Sequence, residues 1–493
     1  MNFLKKNIFQ ILMVIAVALF TWYKILFRFP TGEGFFYFDP LNTLNLKEIT
    51  VPFVLKNYGF LAKLIFTILI PIFKDNVHYY MYFQFLVMVG VYLTFYYVIL
   101  KIFKDKILAV LSTIFFIADY VGSFTMMGQG DYQRFIQRVP NIIPTLLAFM
   151  FLVLYLRTKK TKFFNLSFFV YILSMLLSHY TTFLLPLFVL LPPFTWLIER
   201  KISFKKAIFI PIVFGVTTIL LTRTDSLSRP SYSILSFATK TPRLVEMVLY
   251  QIPMTGFPIQ FIQFMGTHSS MTVIDSYIRL LFATLIIVLI CLYLGFLKIK
   301  DNRENLSIYL TLIASLFIVS FLLMYAYNII PNPIINFGED RIYFIHSIIF
   351  AIIWAMLVKA FFGLKNKKLY MKMAIVIGLM YLFQNIPVIW RGMNDIEIHS
   401  QIVGNYIKTI KGLSQEFNKN SVIVETPELI TVSAFVERFY HISNTNFISF
   451  DNDWKLRLEK MGAKKNDVFI FELKPGSSEI INLTQDFRSG KKI

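Results

Sequence analysis

Carboxylates and guanidinium groups recur at a few places between the apolar segments of this sequence. A carboxylate can accept the proton of an attacking hydroxyl, and a guanidinium can bind a phosphate through two parallel hydrogen bonds. Together in one site, they could transfer a sugar from a lipid-linked phosphate, because positive charge stabilises the departing phosphate. The plain alternative is that these residues are solvated or pair with one another. The set consists of Asp39, Asp131, Arg134, Arg138, Glu339, Asp340 and Arg341.

Asp39 differs from the other charges in its sequence surroundings. Four aromatic residues, 35–38, precede it and Pro40 follows it. This is an unusual place for a carboxylate that serves only to interact with water. Asp119, near the end of an apolar segment, shows a weaker form of the same pattern. Among the loop charges, we therefore expect Asp39 to be the strongest candidate for a catalytic role.

The composition indicates which elements must position these residues. Of the 493 residues, 56% are hydrophobic, 17% aromatic and 16% charged, and the mean hydropathy is +0.62. Soluble globular proteins carry roughly 25% charged residues, so this chain has too little polar surface to cover a soluble body. The same numbers exclude a disordered chain, a coiled coil, a collagen and a disulfide scaffold. The sequence predicts a membrane protein.

Eleven apolar segments are predicted to cross the bilayer, which takes about 20 residues per helix. The stretch 58–73 is not counted, because it contains Lys63 and Pro71 and would break the alternation of charge along the chain. It predicts an interfacial helix instead. The predicted spans are 7–27, 78–100, 107–126, 141–156, 163–179, 181–198, 207–222, 277–297, 306–328, 342–362 and 370–390.

Lysine and arginine are concentrated between these spans. The chain has 49 basic and 28 acidic residues, of which residues 391–493 hold only 14 and 13. The basic excess is therefore not a surface for nucleic acid. By the positive-inside rule the basic clusters face the cytoplasm, which predicts a cytoplasmic N-terminus and an extracytoplasmic C-terminus. The clusters lie at residues 5–6, 101–106, 157–162, 200–206, 298–303 and 359–372.

The predicted fold is an all-α polytopic membrane protein with a small extracytoplasmic α/β domain. The membrane domain spans residues 1–390, and the α/β domain spans 391–493. Short strands at 421–425, 446–450 and 467–473 alternate with helical patterns at 428–439 and 453–461, which favours a parallel sheet. No phosphate-binding loop or catalytic triad occurs in this domain. The predicted external loops are 28–77, 127–140, 223–276 and 329–341.

The arrangement resembles the GT-C superfamily of membrane glycosyltransferases, which includes protein O-mannosyltransferases and the aminoarabinose transferase. The first external loop carries the acidic Asp39, followed by an interfacial helix. The second carries Asp131 and Arg138 ahead of the fourth span. Residues 339–348 are similar to an acidic-Arg-Tyr-apolar-Leu-Pro-Ser motif, with Ile-His in place of Leu-Pro and one residue inserted before Tyr343.

The resemblance implies a role for each candidate residue. Asp39 would be the base or would orient the acceptor, and Asp131 would be a second carboxylate. Arginine side chains would bind the donor phosphate, and three neighbours would support the site. The phosphate-binding set is Arg138, Arg341 and Arg134, and the supporting set is Glu339, Asp340 and Tyr343.

We therefore predict a glycosyltransferase that moves a sugar from a polyprenyl-phosphate donor to a glycan, lipid or protein acceptor at the outer face of the cell membrane. Two alternatives remain: a lipid-linked glycan polymerase or ligase, and a transporter or flippase. The loop 223–276, with four basic residues, suits the first alternative. A transporter usually shows internal repeats and charges at the middle of the membrane, and neither is evident in this sequence.

Cofactors are only partly indicated by the sequence. With six histidines and one cysteine, Cys291, a His/Cys metal site is improbable. His179 and His346 are interpreted as polar groups at helix ends. The first loop has no Asp-x-Asp pattern, so dependence on a divalent cation, Mg²⁺ or Mn²⁺, stays open. The predicted partners are the lipid-linked donor, its acceptor and membrane lipids.

Overall fold

The chain is mostly helical, with a small sheet near its C-terminus. The computed structural model describes residues 2–30, 38, 44, 60–119, 132–221, 273–327, 344–363, 366–440, 442, 446–491 and 493. The described helices are α1 (Asn2–Trp22), α2 (Phe60–Phe73), α3 (Val77–Phe103), α4 (Lys106–Ile117), α5 (Tyr132–Arg138), α6 (Ile142–Thr158), α7 (Thr161–Leu177), α8 (Leu185–Phe194), α9 (Phe204–Leu221), α10 (Val273–Ile299), α11 (Arg303–Tyr327), α12 (Phe344–Phe362), α13 (Lys367–Leu413), α14 (Ser433–Tyr440), α15 (Trp454–Lys460) and α16 (Thr484–Arg488).

Seven helical segments in the described part of the chain are long and apolar enough to cross a membrane. They correspond to seven of the eleven predicted spans. The other four overlap α4, α7, α10 and α11, and their crossing stays a prediction. The seven segments are Lys5–Phe27, Val77–Phe103, Phe135–Thr158, Thr181–Glu199, Phe204–Leu221, Phe344–Phe362 and Lys367–Asn394.

The helix α2 covers the stretch that was not counted as a span. Its 14 residues extend about 21 Å at 1.5 Å per residue, which is less than the roughly 30 Å of a bilayer core. Its inner side is fully packed, with Ala62 and Phe66 both 0% exposed. The predicted helix is confirmed, and its position at the interface stays a prediction.

The basic clusters lie on one face of the bundle, which we call the basic face. Lys359 Nζ lies 2.7 Å from Asp105 Oδ2, which joins the last predicted hairpin to the first. Arg157 Nε lies 3.4 Å from Glu304 Oε2, which joins two further hairpins. Contacts between the other clusters complete the face: Lys106 Nζ donates to the carbonyl oxygen of Lys6 at 2.9 Å, and Lys201 pairs with Glu304 and with Glu199 at 3.2 Å. All six clusters predicted to lie on one side therefore do share one face.

The other ends of the helices form the opposite face, on which the C-terminal segment packs. Lys411 Nζ lies 2.6 Å from Asp75 Oδ2, just before α3 begins. The backbone N–H of Phe29 donates to Ser400 Oγ at 2.8 Å. The segment that follows α1, the segment before α3 and the C-terminal part of the chain thus meet on one side of the bundle.

Four strands form the small sheet, in the order β2-β1-β3-β4. The pairs β1–β2 and β1–β3 are parallel, as predicted, and β3–β4 is antiparallel. The strand β4 had no predicted counterpart. The predicted boundary at residue 390 lies within α13, which continues without a break from the bundle into the α/β domain. The strands are β1 (Val422–Glu425), β2 (Phe447–Ser449), β3 (Val468–Leu473) and β4 (Ile480–Asn482).

The two faces can be assigned to membrane sides by cysteine labelling. In a Cys291→Ala background, we expect a membrane-impermeant thiol reagent added to intact cells to label Ser477→Cys and not Asn366→Cys. Ser477 lies between β3 and β4, whereas Asn366 caps α13 on the basic face, which the positive-inside rule assigns to the cytoplasm. Permeabilised cells should label both variants. Labelling of Asn366→Cys alone in intact cells would show that the orientation is inverted.

Candidate functional site

Most of the predicted site residues lie outside the described part of the chain. For Arg134 the backbone is described as part of α5, and Arg138 is described in full. Whether the predicted residues meet in one site therefore stays a prediction. The residues outside the described ranges are Asp39, Asp131, Glu339, Asp340, Arg341 and Tyr343.

Arg138 is buried at the end of α5. Its side chain is 7% exposed, although arginine is almost never fully buried unless its charge is paired. Phe135 and Ile136, on the same short helix, are both 0% exposed, and the helix packs against α2 and α3. The apolar side of α5 thus fixes its position, and Arg138 lies four residues before the start of α6 in the sequence.

A buried polar network fixes the start of α6. Asn141 Nδ2 donates to the carbonyl oxygen of Ser178 at 3.2 Å and also to Thr181 Oγ1. Ser174 Oγ lies 2.6 Å from both Thr145 Oγ1 and Thr181 Oγ1. In an apolar bundle such hydrogen bonds hold helices in one register, because the polar groups have few other partners. The network therefore joins α6 to α7 three residues after Arg138.

Arg28 is a second buried guanidinium on the opposite face, 5% exposed. Burial lowers its pKa to about 10, and the negative charge of Glu397 on α13 acts in the other direction. The side chain is therefore still protonated at neutral pH. The neighbouring Phe29 packs against Gly404, where an added Cβ would lie 2.4 Å from its ring. The segment after α1 is thus held tightly against α13.

These residues belong to a layer of buried polar side chains on the opposite-face side of the bundle, which we call the polar layer. Its members lie at or towards the ends of helices that point away from the basic face, except Asn385, which lies inside α13. His346, interpreted from the sequence as a helix-end polar group, is 0% exposed in the first turn of α12. The members are Arg28, Gln84, Asp119, Arg138, Asn141, His346 and Asn385.

Sequence reasoning missed four of these groups: Arg28, Gln84, Asn141 and Asn385. A signal for Arg28 was present, because it lies between Phe27 and Phe29 directly after the first apolar segment. This is the same pattern of a charge among aromatic residues that singled out Asp39. No comparable signal exists for Gln84, which is one polar residue within a long apolar helix.

A metal site is not formed by the described residues, which contain no group of three or more histidine, cysteine or carboxylate side chains. The candidate carboxylates Asp39, Asp131, Glu339 and Asp340 lie outside those residues. Dependence on Mg²⁺ or Mn²⁺ therefore stays open.

Glu425 is a buried carboxyl group in the α/β domain. It ends β1, is 0% exposed, and its Oε2 accepts a hydrogen bond from the hydroxyl of Tyr406 on α13. Burial raises the pKa of Glu425 to about 8, with the Tyr406 hydroxyl acting in the other direction. The group is therefore largely protonated at neutral pH. Because it is closed off from solvent, we interpret it as a structural contact between α13 and the sheet.

The protonation of Glu425 makes stability depend on pH. The unfolded chain releases this proton near pH 4.5 and the folded chain near pH 8, so the free energy of unfolding falls as pH rises between these values, by a few kcal/mol at most. In Glu425→Gln this loss should be absent. We expect the thermal midpoint of the variant, relative to the parent in the same detergent, to rise from pH 5 to pH 8. The exposed Glu428→Gln is the control, and a pH-independent difference for Glu425→Gln would contradict the assignment.

Comparisons with known proteins do not assign this chain to a family. Neither a known protein-family model nor a curated protein matches it. The likeness to the GT-C superfamily therefore rests on the motifs in the sequence, and function has to be argued from the chain's own residues.

Proposed function

We propose that the protein is a membrane glycosyltransferase that moves a sugar from a polyprenyl-phosphate donor to a glycan, lipid or protein acceptor. The observation that carries the proposal is the polar layer, with two buried guanidinium groups at one end of an apolar bundle. A lipid-linked phosphate has the same division into a charged head and an apolar chain. Its chain would lie along the bundle helices, and its phosphate would reach the level of the polar layer.

The donor phosphate needs positive charge at the level of the lipid headgroups. Arg138 supports this part of the proposal, because its side chain is buried and a guanidinium can bind phosphate oxygens in pairs. Arg134 and Arg341 would add to the same charge. Bound in this way, the phosphate is stabilised as it leaves the sugar, when its negative charge is greatest.

The acceptor needs a base. In the proposed reaction Asp39 accepts the proton of the acceptor hydroxyl, the hydroxyl oxygen forms a bond to the anomeric carbon, and polyprenyl phosphate departs. Asp131 would be the second carboxylate. The residues Glu339, Asp340 and Tyr343 would support the arginine beside them, and a divalent cation could assist the departing phosphate.

The proposed membrane arrangement follows from the two faces of the bundle. The basic face would lie in the cytoplasm and the opposite face outside the cell membrane. Eleven crossings would then place the α/β domain outside. Donor, acceptor and the polar layer would all be on one side, as transfer at the membrane surface requires.

The direct test uses purified protein and a panel of polyprenyl-phosphate sugars. Release of free polyprenyl phosphate that depends on both protein and acceptor would support the proposal. Release without an acceptor would indicate hydrolysis. Absence of release for the whole panel, with the protein folded and stable, would contradict the proposal, and movement of intact lipid across a vesicle membrane would favour the flippase.

Asp39→Asn tests the proposed base. We expect transfer to fall by ~100-fold or more, the usual scale for the loss of a positioned base, while expression and thermal midpoint stay close to those of the parent. Asp301→Asn, an exposed carboxylate beside the basic face, is the matched control and should keep full activity. Activity of Asp39→Asn within about threefold of the parent would make Asp39 a solvated loop charge.

Arg138→Lys and Arg341→Lys test the proposed phosphate contacts. Lysine keeps the charge and loses the paired hydrogen bonds, so we expect each variant to bind the donor more weakly while its thermal midpoint changes little. The exposed Arg391→Lys is the control. Parent-like donor affinity in both variants would make these arginines structural and would move the search for the phosphate ligand to Arg28 or to Arg223, Arg229 and Arg243.

A further inference from the structure

Phe38 lies at the centre of a cluster of aromatic rings and is 0% exposed. Its ring centroid is 5.4 Å from that of Phe66 and 5.0 Å from that of Tyr80. It is 5.3 Å from Phe435 and 6.1 Å from Phe439. All four contacts are edge-to-face, the geometry that aromatic pairs favour. We call these five residues the aromatic cluster.

The members of the aromatic cluster come from separate parts of the chain. Phe66 and Tyr80 belong to α2 and α3 in the bundle, whereas Phe435 and Phe439 belong to α14, which lies between β1 and β2 in the sequence. Phe38 contacts both pairs. Removal of its ring would take away the contacts that join the bundle helices to α14 at this point.

Neighbouring contacts keep the two sides of the aromatic cluster in place. The hydroxyl of Tyr80 donates to the carbonyl oxygen of Lys74 at 3.0 Å. One residue further on, Asp75 pairs with Lys411 of α13. Phe435 and Phe439 also contact each other, with centroids 4.8 Å apart. The site that receives Phe38 is therefore held together by contacts that do not include it.

We propose that Phe38 is a positioning residue for sugar transfer, which rests on the proposed function. Asp39, the proposed base, is the next residue in the sequence, so the fixed position of Phe38 limits where the backbone can carry that carboxylate. A base acts efficiently only when it is held within hydrogen-bond reach of the hydroxyl. The α/β domain thereby acquires a role in the proposed reaction, because α14 supplies two of the described ring contacts of Phe38.

A role of Phe38 in positioning Asp39 and a role in stability alone predict different effects when its ring is removed. If Phe38 acts through Asp39, its removal should lower kcat and leave donor affinity unchanged, because the phosphate is bound by other residues. If it only stabilises the fold, its removal should lower the thermal midpoint without a selective effect on kcat. Phe435 provides an independent variant, since it is nearly 400 positions away from Asp39 in the sequence and contacts Phe38 directly.

The test measures kcat, donor affinity and thermal midpoint for Phe38→Leu and Phe435→Leu. We expect kcat to fall at least 10-fold in both, with donor affinity within threefold of the parent. The control is Phe188→Leu, which removes an equally buried ring from a second aromatic group, beside Tyr171 and Phe214. It should keep kcat within threefold. If Phe38→Leu does not fold, Phe435→Leu and Phe439→Leu give the same comparison.

A double-variant cycle decides whether the effect passes through Asp39. In an Asp39→Asn background, Phe38→Leu should lower the remaining transfer by less than twofold, because the base it positions is already gone. A further 10-fold loss in that background would overturn the proposal, as would parent-like kcat in both Phe38→Leu and Phe435→Leu. An inactive parent protein would instead contradict the proposed function itself, so the two failures are distinguishable.

Discussion

An apolar bundle cannot leave a charge unpaired in its interior, and the described part of this protein is arranged around that constraint. Within the seven candidate spans, charged side chains lie towards the ends. On the basic face they pair across hairpins, as Lys359 does with Asp105. On the opposite face they are buried with polar partners, as Arg28 is beside α13. The difference matters for function, because buried guanidinium groups can bind an anion strongly only where water is scarce.

The helix α13 connects this charge arrangement to the α/β domain. Its 47 residues include Pro387 and would extend about 70 Å if the helix were straight. One continuous helix thus runs from the basic face past the polar layer to the sheet. Trp390 Nε1 donates to the carbonyl oxygen of Thr21 at 3.1 Å, which ties α13 to the end of α1. Further along, Asn405 Nδ2 donates to the carbonyl oxygen of Ser478 at 2.8 Å. The α/β domain is therefore held at a fixed height above the bundle.

The sequence predicted the features that depend on composition and local pattern. Apolar length predicted the positions of the helices, and the Lys/Arg clusters predicted which helix ends share a face. Features that depend on distant partners were not predictable. The strand β4 has only three residues and pairs at an edge, and α13 continues beyond residue 390 because its later residues pack on the sheet. Arg28 gave a local signal, but its burial against α13 depends on residues about 370 positions away.

The aromatic residues offer a physical reason why this chain is so rich in phenylalanine, with 54 in 493 residues. Phe38 contacts both the helix bundle and the α/β domain. A flat ring can pack edge-to-face on both, and it has no polar atom that needs a hydrogen-bond partner. An aliphatic side chain would fill the space and yet define the direction of the backbone less sharply, because it has more rotamers to choose from. Rings of this kind can therefore fix one residue of the chain, Phe38, against both the bundle and α14. Such control is what a catalytic carboxylate on a loop would require.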